Sequence, residues 1–235
     1  MELVDLAWTE AENVETRVVL LPVGSTEQHG PHAPLGTDTL LAEAVATRGA
    51  ATADDPVIVA PTLPVGIAAE HRAFAGTLWL TPDTFRAVLR ELCQALIHHG
   101  WDRIIIVNGH GGNSDAVQEV AATVSRETMS KCAAFTWFEA IDLSPGTMGH
   151  GGPVETSALL AAVPDSLKRD EVESATDESA KRWGTWVGGT NIAYDSDEFT
   201  ANGVVGDPAQ ADAQWGEVLL ARAGERLAAI VAEFA

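Results

Sequence analysis

The chain of 235 residues carries 34 Asp and Glu against 14 Lys and Arg, a formal net charge of −20, which repels nucleic acid and anionic membranes and excludes both as partners. No run reaches the roughly 18 uninterrupted apolar residues of a membrane-spanning helix, and the N-terminus has neither the basic start nor the apolar run of a leader. A soluble, cytoplasmic protein with a single α/β domain over residues 1–235 is expected.

Arg17-Val18-Val19-Leu20-Leu21-Pro22-Val23 reads as a buried strand of a parallel sheet, and such sheets place ligands at the carboxyl ends of their strands. Gly24-Ser25-Thr26-Glu27-Gln28-His29-Gly30-Pro31-His32 follows at once, with Asp38 a few residues on. Asp38 to about Ala53 reads as an Ala/Leu-rich helix and Pro56 to Pro61 as a second buried strand. A loop with Gly66, Glu70, His71 and Arg72 leads to Thr81-Pro82-Asp83, an N-cap with proline at the first helical position. Phe85, Val88, Leu89, Leu92 and Leu96 keep a helical period up to Gly100, with His98 and His99 at the helix end.

The strand Arg103 to Val107 runs into Asn108-Gly109-His110-Gly111-Gly112-Asn113, where a helix begins that extends to about Arg126. Cys132 to Phe138 reads as a further strand. Cys93 and Cys132 form no disulfide framework and lack metal-type spacing, so both are expected as reduced core residues. His150-Gly151-Gly152-Pro153-Val154-Glu155-Thr156-Ser157 places His150 before a helix, expected over Pro153 to Ala162, and Glu155 in its first turn. Lys168 to Lys181 is charged, Trp183 to Gly189 is a Gly/Trp-rich loop, and a last amphipathic helix is expected from about Ala209 to Phe234. Uninterrupted alternation of strand and helix predicts a three-layer α/β/α sandwich with a mostly parallel central sheet.

Three strand or turn ends thus each offer a histidine with a glutamate or aspartate. Glu27, His29, Asp38, His110 and Glu155 supply hard or borderline ligands that suit a pair of divalent ions better than one structural zinc. Asp38 is the candidate bridge. Hydroxide generated between the ions would attack a carbonyl, and His150 would protonate the leaving nitrogen or else orient a ligand. The reaction class is hydrolysis of an amide-like C–N bond, although this ligand set equally suits phosphoester cleavage.

The same segments resemble the signature segments of the creatininase (creatinine amidohydrolase) family. Glu70-His71-Arg72-Ala73-Phe74-Ala75-Gly76-Thr77 and Asn202-Gly203-Val204-Val205-Gly206-Asp207-Pro208 resemble its secondary motifs. The resemblance implies an often hexameric α/β/α amidohydrolase with two divalent ions per chain (Zn, Mn or Fe). By position, Glu27, Asp38 and His110 would hold one ion, and His29 and Asp38 the other. In creatininases proper a glutamate stands in the place of Gly112 and completes the second ion's shell, and Glu155 is the replacement inferred here. Creatininases proper also carry, in the place of Gly146, a tryptophan that packs on the creatinine ring, which argues against creatinine itself.

Members with Gly-His-Gly-Gly-Asn include an archaeal formamidopyrimidine-nucleotide deformylase and the mycofactocin precursor peptidase. The substrate is therefore expected to be a small-molecule amide, such as a formamide of a pyrimidine nucleotide or a creatinine-like amide, with a peptide as the alternative. His32, His71 and Arg72 are candidate substrate contacts; the histidines could instead serve loop hydrogen bonds, and Arg72 a structural ion pair. Ser25 and Ser157 sit in no Gly-x-Ser-x-Gly elbow and are set aside as nucleophiles. From another class, Gly109-x-Gly111-Gly112 after a strand suggests a non-catalytic nucleotide-binding module, but Ser114 stands where the third fingerprint glycine belongs. Only three lysines, Lys131, Lys168 and Lys181, in this acid-rich chain point to a high-salt habitat, where screening relieves self-repulsion.

Overall fold

The computed structural model describes residues 1–143 and 147–235. A one-turn helix α1 (Trp8–Ala11) precedes the first sheet strand, β1 (Val18–Val23). There follow α2 (Thr37–Thr52), β2 (Ile58–Val59), α3 (Pro82–His98), β3 (Arg103–Asn108), α4 (Ser114–Glu127) and β4 (Lys131–Thr136). Beyond them come α5 (Pro153–Ala162), α6 (Val172–Asp177), a two-stranded hairpin of β5 (Trp186–Val187) and β6 (Thr190–Asn191), and α7 (Ala213–Phe234). None of the described helices is long and apolar enough to cross a membrane.

The central sheet runs in the order β2-β1-β3-β4, with every pair parallel. Val18 pairs with Arg103 and Val23 with Asn108, so β1 and β3 end level. The period-two side-chain alternation of these strands sorts the core into two layers. Val18 and Leu20 of β1 and Ile105 and Val107 of β3 pack with Leu41 and Val45 of α2, Leu159 of α5 and Leu220 and Leu227 of α7. Val19, Leu21, Ile104 and Ile106 face the other way, against Phe85 and Leu89 of α3 and Val117 and Val120 of α4. This is the expected α/β/α sandwich, in which each fully buried aliphatic side chain contributes about 1.5–3 kcal/mol.

The chain leaves β1 toward β2 by way of α2 on one face, and leaves β3 toward β4 by way of α4 on the other. The carboxyl ends of β1 and β3 therefore flank the point where the winding reverses, the crevice in which open α/β sheets bind ligands. Glu27, His29, Asp38 and His110 leave from these two ends, and His71, His150 and Glu155 come to them from other turns.

Local differences from the sequence reading have local causes. Only Ile58–Val59 of the second strand joins the ladder, since Pro56 and Pro61 bring no N–H to it. On α3 the buried side is Phe85, Leu89, Cys93 and Leu96, whereas Leu92 is exposed. Helix α7 starts at Ala213 because Asp212, not a residue near 209, caps it by accepting from the Trp215 N–H at 2.8 Å. The segment from Trp183 to Gly189 is not all loop: Gly188 and Gly189, at φ +56° and +83°, turn the β5–β6 hairpin.

Candidate metal centre

Strand β1 ends at Val23, and the following turn carries Glu27 and His29 into the crevice, both with no exposed surface. Asp38 enters from the first turn of α2, also buried. His110 follows β3, and there the chain passes so close to α2 that a Cβ on Gly109 would stand 2.3 Å from the Asp38 carbonyl oxygen. His150 is fixed by a two-way backbone bridge, His150 N–H to Val205 carbonyl at 2.9 Å and Val205 N–H to His150 carbonyl at 2.8 Å. Glu155, in the first turn of α5, accepts the Gly151 N–H at 2.6 Å through Oε2. His71 lies on a short turn between β2 and α3.

Asp38 stands between two imidazoles. Its Oδ1 is 3.1 Å from Nε2 of His29, and its Oδ2 is 3.2 Å from Nδ1 of His110. Glu155 Oε1 approaches the same His29 nitrogen at 3.8 Å. Glu27 Oε2 lies 3.2 Å from Nε2 of His110, and its Oε1 lies 3.2 Å from Nε2 of His71 and 3.9 Å from Nδ1 of His150. Ligand atoms thus gather within 4.8 Å of one another in three groups: Glu27, Asp38 and His110; His29, His150 and Glu155; and Glu27, His71 and His150.

Backbone carbonyls fix how these rings are turned. His29 Nδ1 donates to the Glu27 carbonyl at 3.2 Å, His110 Nε2 to the Ile67 carbonyl at 2.7 Å, and His150 Nε2 to the Gln28 carbonyl at 2.7 Å. A neutral ring that donates from one nitrogen has a lone pair on the other. Those lone pairs, Nε2 of His29 and Nδ1 of His110, then face the two oxygens of Asp38. Lone pair against lone pair at about 3 Å is repulsive unless a proton or a cation lies between them. Both oxygens of Glu27 and Oδ2 of Asp38 are moreover buried without a hydrogen-bond donor, an arrangement that calls for an ion. The pattern of carbonyl, imidazole and carboxylate is the one that orients histidines toward a metal.

The ionisation of the side chains puts protons on His29 and His110 where cations would otherwise sit. Burial pushes the Glu27 carboxyl up against the pull of His110. Burial opposes the charge on His29 and His110, but the Asp38 and Glu27 carboxylates beside them prevail and raise both rings well above the usual histidine range. Burial would raise Asp38, yet these two imidazoles hold it well below the carboxylate range. Burial and then the charge of His29 lower His32 and His150 to about 4, and burial followed by repulsion from His150 and His110 lowers His71. The His150 ring stacks on His71 at 4.3 Å and lies tilted at the same distance from His29, a packing suited to a neutral ring.

A cavity of about 340 Å³ opens in front of this centre, lined by Glu70, His71, His110, His150, Glu155 and the apolar Phe138, Met148 and Trp183, among others. Of the expected substrate contacts His71 lines it. His32 does not: its ring is buried against the Thr156 hydroxyl at 3.0 Å. Arg72 does not either, being exposed and paired with Asp195. Gly146 lies outside the described residues. Gln28 went without a role in the sequence reading, although its amide donates to His71 Nδ1 at 2.8 Å and to the Gly203 carbonyl at 3.1 Å. Its position inside the Glu27–His29 motif was the available signal.

A family model described as creatinine amidohydrolase matches residues 4–231. The chain belongs to the creatininase family. It is thereby placed among hydrolases of carbon–nitrogen bonds. The chain is 35% identical over 213 residues to a mycofactocin precursor peptide peptidase of Mycolicibacterium smegmatis, covering 87% of this chain and 80% of that one. It is 31% identical over 196 residues to a creatinine amidohydrolase of Pseudomonas putida, covering 72% and 74%. A creatininase crystal structure superposes with a TM-score of 0.85 at 27% identity, over 99% of this chain and 97% of that one. Creatininase structures of similar likeness include a manganese form and a Zn-Zn form.

Proposed function

We propose that this creatininase-family chain hydrolyses the amide bond of a short peptide or peptide-like substrate at a centre that holds two divalent cations, Zn, Mn or Fe. Glu27, Asp38 and His110 would hold one and His29, Asp38 and Glu155 the other, with Asp38 shared. The observation that carries this reading is the aim of the His29 and His110 lone pairs at the two oxygens of buried Asp38.

Divalent cations at such a centre supply Lewis acidity toward a carbonyl oxygen and make water a competent nucleophile near neutral pH. Neutral His150, its Nε2–H committed to the Gln28 carbonyl, has Nδ1 free to take a proton from the attacking water and return it to the leaving nitrogen. Gln28 fixes the His71 ring by donating to its Nδ1, and Nε2 of that ring stands 3.2 Å from Glu27 Oε1. Phe138, Met148 and Trp183 offer an apolar wall, and no Lys or Arg is among the described residues that line the cavity.

That lining and the likeness to mycofactocin precursor peptidases favour a peptide over a nucleotide formamide. A phosphate needs a countercharge, and Arg72, the candidate offered for it, is committed to Asp195. An amine-release assay on short peptides, formamides and creatinine, run on protein of measured metal content, tests the reading. Release from peptides that depends on bound metal supports it, and release from formamides alone overturns the peptide substrate. The same proposal takes the whole chain as one domain acting in a cytoplasmic, salt-rich homo-oligomer, a hexamer by analogy with the family. Light scattering at low and at molar salt checks the assembly.

A further inference from the structure

One carboxylate in the cavity is left over by the centre. Glu70 lines the cavity on the same turn as His71 and keeps 23% of its side-chain surface exposed. Its Oε1 lies 3.7 Å from Nε2 of His110, beyond hydrogen-bond reach, and that nitrogen already donates to the Ile67 carbonyl. Glu70 belongs to none of the three groups of converging ligand atoms. Among the described residues no Lys or Arg pairs with its carboxylate and no other side chain donates to it, its own backbone N–H being the donor within reach. Gly112 keeps its place open: a Cβ there would stand 2.8 Å from Glu70 Oε1 and 2.3 Å from the Ile67 carbonyl oxygen.

A sheltered carboxylate without a countercharge is costly, and a ligand nitrogen bearing positive charge or N–H groups lowers that cost, whereas an anion adds repulsion. The remaining side-chain surface of the cavity includes Phe138, Met148 and Trp183, which suit a flat or apolar group. We infer that Glu70 is the specificity-determining residue of this cavity, its carboxylate receiving a cationic or N–H-donating nitrogen of a substrate whose apolar part packs on Phe138, Met148 and Trp183. The inference rests on the reading of the cavity as the substrate site. It deepens that reading by naming the charge the substrate carries there.

Benzamidine and benzamide form a matched pair of probes, alike in shape and different in charge. Their binding to the metal-loaded protein is measured by calorimetry at pH 7, beside metal content and thermal unfolding. The wild type binds benzamidine at least about tenfold tighter than benzamide, the margin expected of a charge-assisted pair. Glu70→Gln brings the ratio to about twofold or less with metal content unchanged, while Glu225→Gln, on the exposed side of α7, leaves it at the wild-type value. Equal binding by the wild type, or a preference that survives Glu70→Gln, overturns the inference. Loss of an ion in Glu70→Gln also overturns it, since Glu70 would then be a metal ligand. The ratio is read again after chelation, so a centre that holds no ions would sink the proposed function without hiding the behaviour of Glu70.

Discussion

The centre of the site and its rim differ in how tightly the fold holds them. Glu27, His29 and Asp38 are fully buried at the ends of elements whose core residues are also buried, and His29, His110 and His150 are each tied to a backbone carbonyl. At the rim, Arg72 is 56% exposed and Trp183 precedes a surface hairpin. Reactive groups are thus positioned by the sheet and its first turns, and selectivity is left to loops that can vary without disturbing them. If that division holds, substitutions at the centre should abolish chemistry, those one step out should slow it, and those at the rim should leave it nearly intact.

The largest effect is expected for Asp38→Asn. Losing the shared carboxylate should empty the centre and lower turnover about a hundredfold to a thousandfold or more, as elemental analysis and amine release would record; a variant with full metal and full activity would break the comparison at its core. His150→Ala should lower kcat about a hundredfold while metal content stays at the wild-type value, and loss of metal instead would move His150 into the ligand set. Gln28→Ala, which frees His71 and removes the tie to Gly203, should lower kcat about tenfold with metal retained. Equal kcat in wild type and variant would show that turnover does not depend on how Gln28 holds His71. Smallest is Arg72→Ala, an exposed ion pair worth about 0–1 kcal/mol, for which thermal unfolding and turnover should barely move; a large loss of activity would restore Arg72 as a substrate contact.

The layered fold was legible because its strands announce themselves by runs such as Val18 to Val23 and its helices by caps such as Thr81-Pro82, whose Thr81 hydroxyl accepts the Thr84 N–H at 3.3 Å. Glu27, His29, Asp38 and His110 stood out because ligand-type residues sit where parallel strands end. Orientation was not legible. Whether Arg72 faces the cavity depends on Asp195, 123 residues away, and the burial of His32 depends on Thr156 of α5. Glu70 drew no role because a lone carboxylate beside a histidine carries no periodic or spacing signal; its placement in the cavity comes from a turn packed against Gly112. The β5–β6 hairpin escaped notice because its strands are two residues each, too short for alternation to show.

Metal content per chain, measured by elemental analysis on wild type and Asp38→Asn purified without chelator, tests the central claim most directly. About two ions per wild-type chain and almost none in Asp38→Asn is the predicted result. A folded wild-type chain that takes up no Zn, Mn or Fe would contradict the account and favour a binding module with no chemistry of its own.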